Sequence, residues 1–116
     1  MKVLIILNDP PYGNERSYNG LRLATALAKR EGVGLRVFLM GDAVGAALAD
    51  QKTPDGYYNL ARMVKGLVGR HAELGLCGTC LDARGLSSAE FVAGVERSSM
   101  EELARWVVWA DEVLTF

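Results

Sequence analysis

The chain opens Met1-Lys2-Val3-Leu4-Ile5-Ile6-Leu7-Asn8-Asp9-Pro10-Pro11, and these residues decide the fold class. Val3 to Leu7 are five consecutive apolar residues, each β-branched or Leu. A run this short, with no polar residue at alternate positions, predicts a strand covered on both faces, as inside a parallel sheet. Neither Pro10 nor Pro11 can donate to a strand ladder, so the strand ends before them. Asn8 to Asn14 then form a loop at its carboxyl end. The same residues are too short for a signal peptide and lack a small-residue cleavage site. They read as the first strand of a cytoplasmic protein.

Strand and helix signals alternate from there on. Leu21, Ala24, Leu27 and Ala28 share one face of a helix from about Ser17 to Arg30, which Gly32 and Gly34 end. Leu35 to Met40 is a second strand with Gly41-Asp42 at its exit. Ala43 to Ala49 predicts a short helix with Asp42 as N-cap. Residues 51–58 are turn-rich, with Pro54-Asp55-Gly56 a turn by its φ requirements. Leu60, Met63, Val64, Leu67 and Val68 then mark an amphipathic helix, with His71 capping its carboxyl end.

His71 to Leu76 lead as a third strand to Cys77. Ser87-Ser88-Ala89-Glu90 has capping-box spacing and predicts a short helix. Gly94-Val95-Glu96 fits either a turn or a short edge strand. Ser99-Met100-Glu101-Glu102 opens a helix with Met100, Leu103, Ala104, Val107 and Val108 as its buried face, flanked by Trp106 and Trp109. Val113 to Phe116 close as a strand that only a sheet neighbour would hold. The expectation is a single α/β domain over residues 1–116: a mostly parallel sheet of four to five strands, with helices on both faces.

Composition narrows the function. A chain of 116 residues suffices for one core without staples. A formal charge of −1 and the lack of a Lys/Arg run in the sequence argue against a nucleic-acid partner. No apolar run approaches the roughly 20 residues that span a bilayer. No serine–histidine–acid arrangement or phosphate-binding glycine fingerprint is present.

Ligand sites of such sheets lie beyond the carboxyl ends of the strands. Here those ends carry Asn8-Asp9, Gly41-Asp42 and Cys77. The last begins Cys77-Gly78-Thr79-Cys80-Leu81-Asp82-Ala83-Arg84-Gly85, which holds both cysteines. A thiol reacts as thiolate, favoured by nearby cations and disfavoured by apolar burial. Arg84 is placed to fold back toward Cys77, and Asp82 opposes it. Four readings stay open. Cys77 carries a persulfide or thiol adduct; the pair cycles between dithiol and disulfide; the pair binds metal, with His71 the one imidazole and a second subunit completing the site; or both are buried structural thiols. Against the second, Gly78-Thr79 is poor chemistry for a helix start. Asn8-Asp9 also suits an Asx-type turn, and Tyr57-Tyr58 a lid or a subunit contact.

From end to end the chain resembles the DsrE/DsrF-like family of small sulfur-relay proteins, most closely its YchN-like branch. The matching pieces are Asn8 to Gly13, Asn19 to Ala24, Phe38 to Val44, Gly56 to Asn59, Cys77 to Gly85 and Asp111 to Phe116. The resemblance implies a homotrimer or homohexamer and a strand-end cysteine that takes sulfur as a persulfide and passes it between donor and acceptor proteins. By spacing to the Arg84-Gly85 pair, Cys77 matches that cysteine, and Cys80 belongs to the YchN-like pattern. The expected function is a sulfur carrier or sulfurtransferase accessory. Cys77 and Cys80 are its catalytic residues, and Asn8, Asp9, Tyr12, Asp42 and Arg84 hold the substrate, without metal or cofactor. The alternatives are a binding module with structural thiols and a CxxC thiol–disulfide protein.

Overall fold

The computed structural model describes residues 1–116. Strand β1 (Lys2–Leu7) lies inside a five-stranded sheet, between β2 (Gly34–Leu39) and β5 (Glu112–Thr115). Beyond β2 come β3 (Glu73–Cys77) and β4 (Val95–Ser98), giving the order β4-β3-β2-β1-β5. Every pairing is parallel. Val3, Leu4, Ile5 and Leu7 are buried, as an unbroken apolar strand inside a parallel sheet requires.

Helices α1 (Arg16–Ala28) and α2 (Leu60–Gly69) pack side by side on one face. Helix α4 (Met100–Trp109) covers the other, against Phe38 and Arg36. Asn59 caps α2, its side chain accepting from the Arg62 N–H at 3.2 Å. The helix ends with His71 at φ 67°, the one non-glycine residue in the left-handed region. The His71 and Ala72 N–H groups bond back to the Val68 and Leu67 carbonyls, a Schellman ending.

Three local expectations are corrected and one open reading is resolved. Residues Gly41–Ala47 form a 3₁₀ helix whose N-cap position is Met40, so Asp42 lies inside the first turn and engages Arg84 instead of capping. Ser87 to Glu90 form no helix: the chain turns, and Phe91 makes an antiparallel bridge with Leu48. The undecided Gly94-Val95-Glu96 segment is answered by β4, an edge strand beside β3.

On α4 the buried residues are Leu103 and Trp106, whereas Met100, Ala104, Val107 and Val108 are exposed. The aromatic rings outcompete the aliphatic stripe. Trp106 meets Phe38 edge to face with centroids 5.9 Å apart, and the Arg36 guanidinium lies 4.1 Å from the Trp109 ring centre.

Gly75 makes that seat possible. A methyl group there would lie 3.2 Å from both Trp106 and Ser98 and 3.3 Å from Phe38. Gly75→Ala is expected to cost about 1–3 kcal/mol by overpacking. It should lower the urea midpoint with unchanged m. An unmoved midpoint would mean that α4 gives way freely.

Candidate functional site

Cys77 is both the last residue of β3, paired with Ser98 of β4, and the N-cap of helix α3 (Gly78–Ala83). The first N–H groups of a helix lack partners within it, and a side chain just ahead usually serves them with oxygen. Here sulfur does so: the Cys80 N–H donates to Cys77 Sγ at 3.4 Å, and the Thr79 hydroxyl lies 3.3 Å from the same atom. This corrects the reading of Gly78-Thr79 as poor chemistry for a helix start. Gly78-Thr79 does open a helix, because the preceding thiol supplies the cap. Gly85 at φ 67° ends α3, its N–H and that of Leu86 bonding back to the Asp82 and Leu81 carbonyls.

The two thiols are driven apart electrically. Burial pushes the Cys77 thiol up, but hydrogen bonds from the Cys80 and Thr79 side chains and backbone outweigh it, and the thiol ends below its ordinary value. Burial and the hydrogen bond with Cys77 push Cys80 up. The Gly41 N–H, 3.2 Å from Cys80 Sγ, and the Arg84 charge oppose that only in part. Cys77 therefore ionises first. It is 5 % exposed, and Cys80 is half-buried. None of the four surface clefts is lined by either cysteine.

Two arginines flank the pair. Arg84 grips Asp42 through Nε and Nη2, both at 2.9 Å, and Nη1 donates to the Cys80 carbonyl at 3.2 Å. It thus ties α3 to the end of β2 on the Cys80 side. Arg97 of β4 donates to both oxygens of Asp82 at 2.9 and 2.8 Å, holding that carboxyl below its usual range. Its guanidinium lies against Gly78, where a methyl group would come within 2.8 Å of Nε. Arg97 is itself pushed up, chiefly by Asp82, with the Cys77 sulfur also contributing. Sequence reasoning missed Arg97. Reading residues 94–98 as a strand beside β3 would have exposed it.

The remaining candidates lie elsewhere along the strand ends. The Asn8 side chain and N–H both donate to the Phe116 carbonyl, at 3.2 and 2.9 Å, fastening β1 to the end of β5. Asp9 faces Arg16 at 3.7 Å, and its carbonyl accepts from the Ser17 hydroxyl. Tyr12 donates to Gln51 at 2.6 Å and accepts from the Leu60 N–H at 3.2 Å. Tyr12 also joins a cluster of all four tyrosines, with Tyr58 stacked between Tyr18 and Tyr57 at 4.0 and 4.5 Å. The Tyr57 hydroxyl pushes Tyr58 up to about 12. Hydrogen bonds join Asp42 and Arg84 to the cysteine helix, and none joins Asn8, Asp9 or Tyr12 to the thiols. No group of three or more His, Cys, Asp or Glu converges as a metal site.

Site-resolved alkylation across pH should place the Cys77 inflection below the ordinary thiol value and that of Cys80 above it, since the rate follows the thiolate fraction. Thr79→Ala should move the Cys77 inflection upward and slow its alkylation severalfold at neutral pH, with the thermal midpoint nearly unchanged. Equal inflections for the two thiols would contradict the geometry.

The DsrE/DsrF-like family matches residues 1–116. Protein YchN of Escherichia coli strain K12 is 46% identical over 116 residues, covering 99% of this chain and 98% of YchN. An uncharacterized protein of Methanopyrus kandleri is 37% identical over 115 residues, covering 98% of this chain and 93% of its own. The crystal structure of E. coli YchN superposes with a TM-score of 0.94 at 46% identity, over 99% of this chain and 98% of the other. A Methanobacterium thermoautotrophicum protein of unknown function shares the fold alone, with a TM-score of 0.76 at 17% identity over 99% and 98% of the two chains. With its whole length matched and a relative so near in sequence and structure, the chain belongs to the DsrE/DsrF-like family.

Proposed function

We propose that this protein is a sulfur carrier in which Cys77 holds a persulfide. The observation that carries the reading is the asymmetric pair at the end of β3: Cys77 Sγ caps a helix, 3.4 Å from the Cys80 N–H and 3.3 Å from the Thr79 hydroxyl, while Cys80 Sγ faces the Gly41 N–H at 3.2 Å.

The Cys77 thiolate attacks the outer sulfur of a donor persulfide. A bond forms between Cys77 Sγ and that sulfur, the donor's S–S bond breaks, and the donor thiolate leaves and takes a proton. An acceptor thiolate then attacks the same outer sulfur and releases Cys77 as thiolate. Arg97 and the Thr79 hydroxyl stabilise the anion at Cys77. Arg84 and Asp42 position Cys80, while Asn8, Asp9 and Tyr12 shape the adjoining rim for the partner. Transfer of this kind suits a reducing compartment such as the cytoplasm. The family resemblance supports assembly as a homotrimer or homohexamer.

A second reading rests on the same helix start. The Cys80 thiolate attacks Cys77 Sγ of the persulfide, forming the Cys77–Cys80 disulfide and expelling hydrosulfide. A dithiol reductant then restores the pair. In this reading the protein is a CxxC thiol–disulfide exchanger.

Mass spectrometry after incubation with a protein persulfide donor distinguishes them. The carrier reading expects one added sulfur on Cys77, lost in Cys77→Ser and retained in Cys80→Ser. Sulfide release with disulfide formation, abolished by Cys80→Ser, supports the exchanger. No added sulfur and no disulfide in the native protein would sink both and leave a binding module with structural thiols.

A further inference from the structure

Helices α1 and α2 carry a second feature that the thiol chemistry does not use. Residues 16–30 and 60–71 hold seven of the chain's thirteen Lys and Arg and none of its fourteen Asp and Glu. Between the two helices runs a groove of about 420 Å³ lined by Arg22, Thr25, Ala26, Lys29, Arg62, Met63, Gly66 and Arg70. No lysine or arginine run marks it in sequence, because its cations come from two helices at positions 22, 29, 62 and 70.

Both helices return from the carboxyl to the amino end of a parallel sheet, so they run in the same direction. Arg22 therefore shares one end of the groove with Arg62, and Lys29 shares the other with Arg70. Seven residues of helix separate the ends on α1, about 10 Å at 1.5 Å per residue. Lys29, Arg62 and Arg70 make no side-chain hydrogen bond or ion pair within the protein, in contrast to Arg16, Arg36, Arg84 and Arg97. Arg22 is held over the Tyr18 ring at 5.6 Å and donates to Asn19. No carboxylate lines the groove.

The floor selects among anions. Ala26, Gly66 and Met63 offer an apolar surface, and the Thr25 hydroxyl is already committed to the Leu21 carbonyl at 2.8 Å. Helix-interior N–H groups are bonded within their own helices. A phosphoanion would thus find its donors at the rim alone and leave the apolar floor uncovered. A helix with carboxylates seven residues apart and small aliphatic residues between them would meet a cation pair at each end and an apolar floor in the middle. We propose that this groove docks an acidic amphipathic helix of a partner protein. The proposal stands apart from the thiol reading and does not depend on it.

A fluorescein-labelled, Ala- and Leu-based helical peptide with glutamates seven apart is the probe, read by fluorescence anisotropy on the full chain. It should bind, weaken as salt rises, and bind more tightly than a permuted peptide of identical composition. Arg22→Glu with Arg62→Glu, and separately Lys29→Glu with Arg70→Glu, should each weaken binding about tenfold or more. Lys52→Glu with Arg105→Glu makes the same charge change outside the groove and should leave binding intact, and circular dichroism confirms folding of each variant.

Equal binding of the permuted peptide, or equal loss in the control variant, would reduce the groove to nonspecific attraction and overturn the proposal. Tighter, groove-dependent binding of inorganic polyphosphate or a single-stranded oligonucleotide would assign it to phosphate instead. A fall in oligomeric mass on reversing the groove charges would mean that a second copy of this chain already fills it.

Discussion

Cys77 ends one hydrogen-bonded ladder and begins another, and the site depends on that handover. As the last residue of β3 it is held in register by β4. As N-cap of α3 it must satisfy an N–H that has no partner inside the helix. A sulfur in that role is anchored by donors, and donors favour the thiolate. The cap and the reactive state thus use the same hydrogen bonds, so a change that frees the sulfur also loosens the helix.

The neighbouring strands supply what one residue cannot. The end of β2 gives the Gly41 N–H to Cys80 and Asp42 to Arg84, while β4 brings Arg97 over Gly78. Parallel pairing places these strand ends side by side on one edge of the molecule. Arg97 and Arg84 each share their charge with a carboxylate, so neither stands as a bare cation beside a thiol. This keeps the two cysteines distinguishable, with Arg97 on the Cys77 side and Arg84 on the Cys80 side.

The sheet was legible from the opening residues, because an unbroken apolar run bounded by prolines has few other uses. The cysteine pair was legible too, whereas Arg84, expected to fold back toward Cys77, instead holds Asp42 and the Cys80 carbonyl. Three things were hidden. Sulfur is not among the usual capping groups, so Gly78-Thr79 read as poor chemistry for a helix start. Arg97 lies 20 residues beyond Cys77 in sequence and reaches it only through a strand pairing that short residue patterns do not specify. On α4, aliphatic periodicity pointed to Val107 and Val108, yet Trp106 packs inward, since a large ring against Phe38 and Arg36 gains more contact than two valines. Asn8, read as a site residue from its place at a strand end, and Tyr12, named with the family resemblance, also fasten β1 to β5 and the loop near Gln51 to α2.

The cations of α1 and α2 gather around one groove that no carboxylate lines. A formal charge of −1 therefore conceals a local concentration of positive charge on that face. Other macromolecules meet it in a preferred orientation before any surfaces touch, and that bias shrinks once dissolved ions shorten the reach of the field.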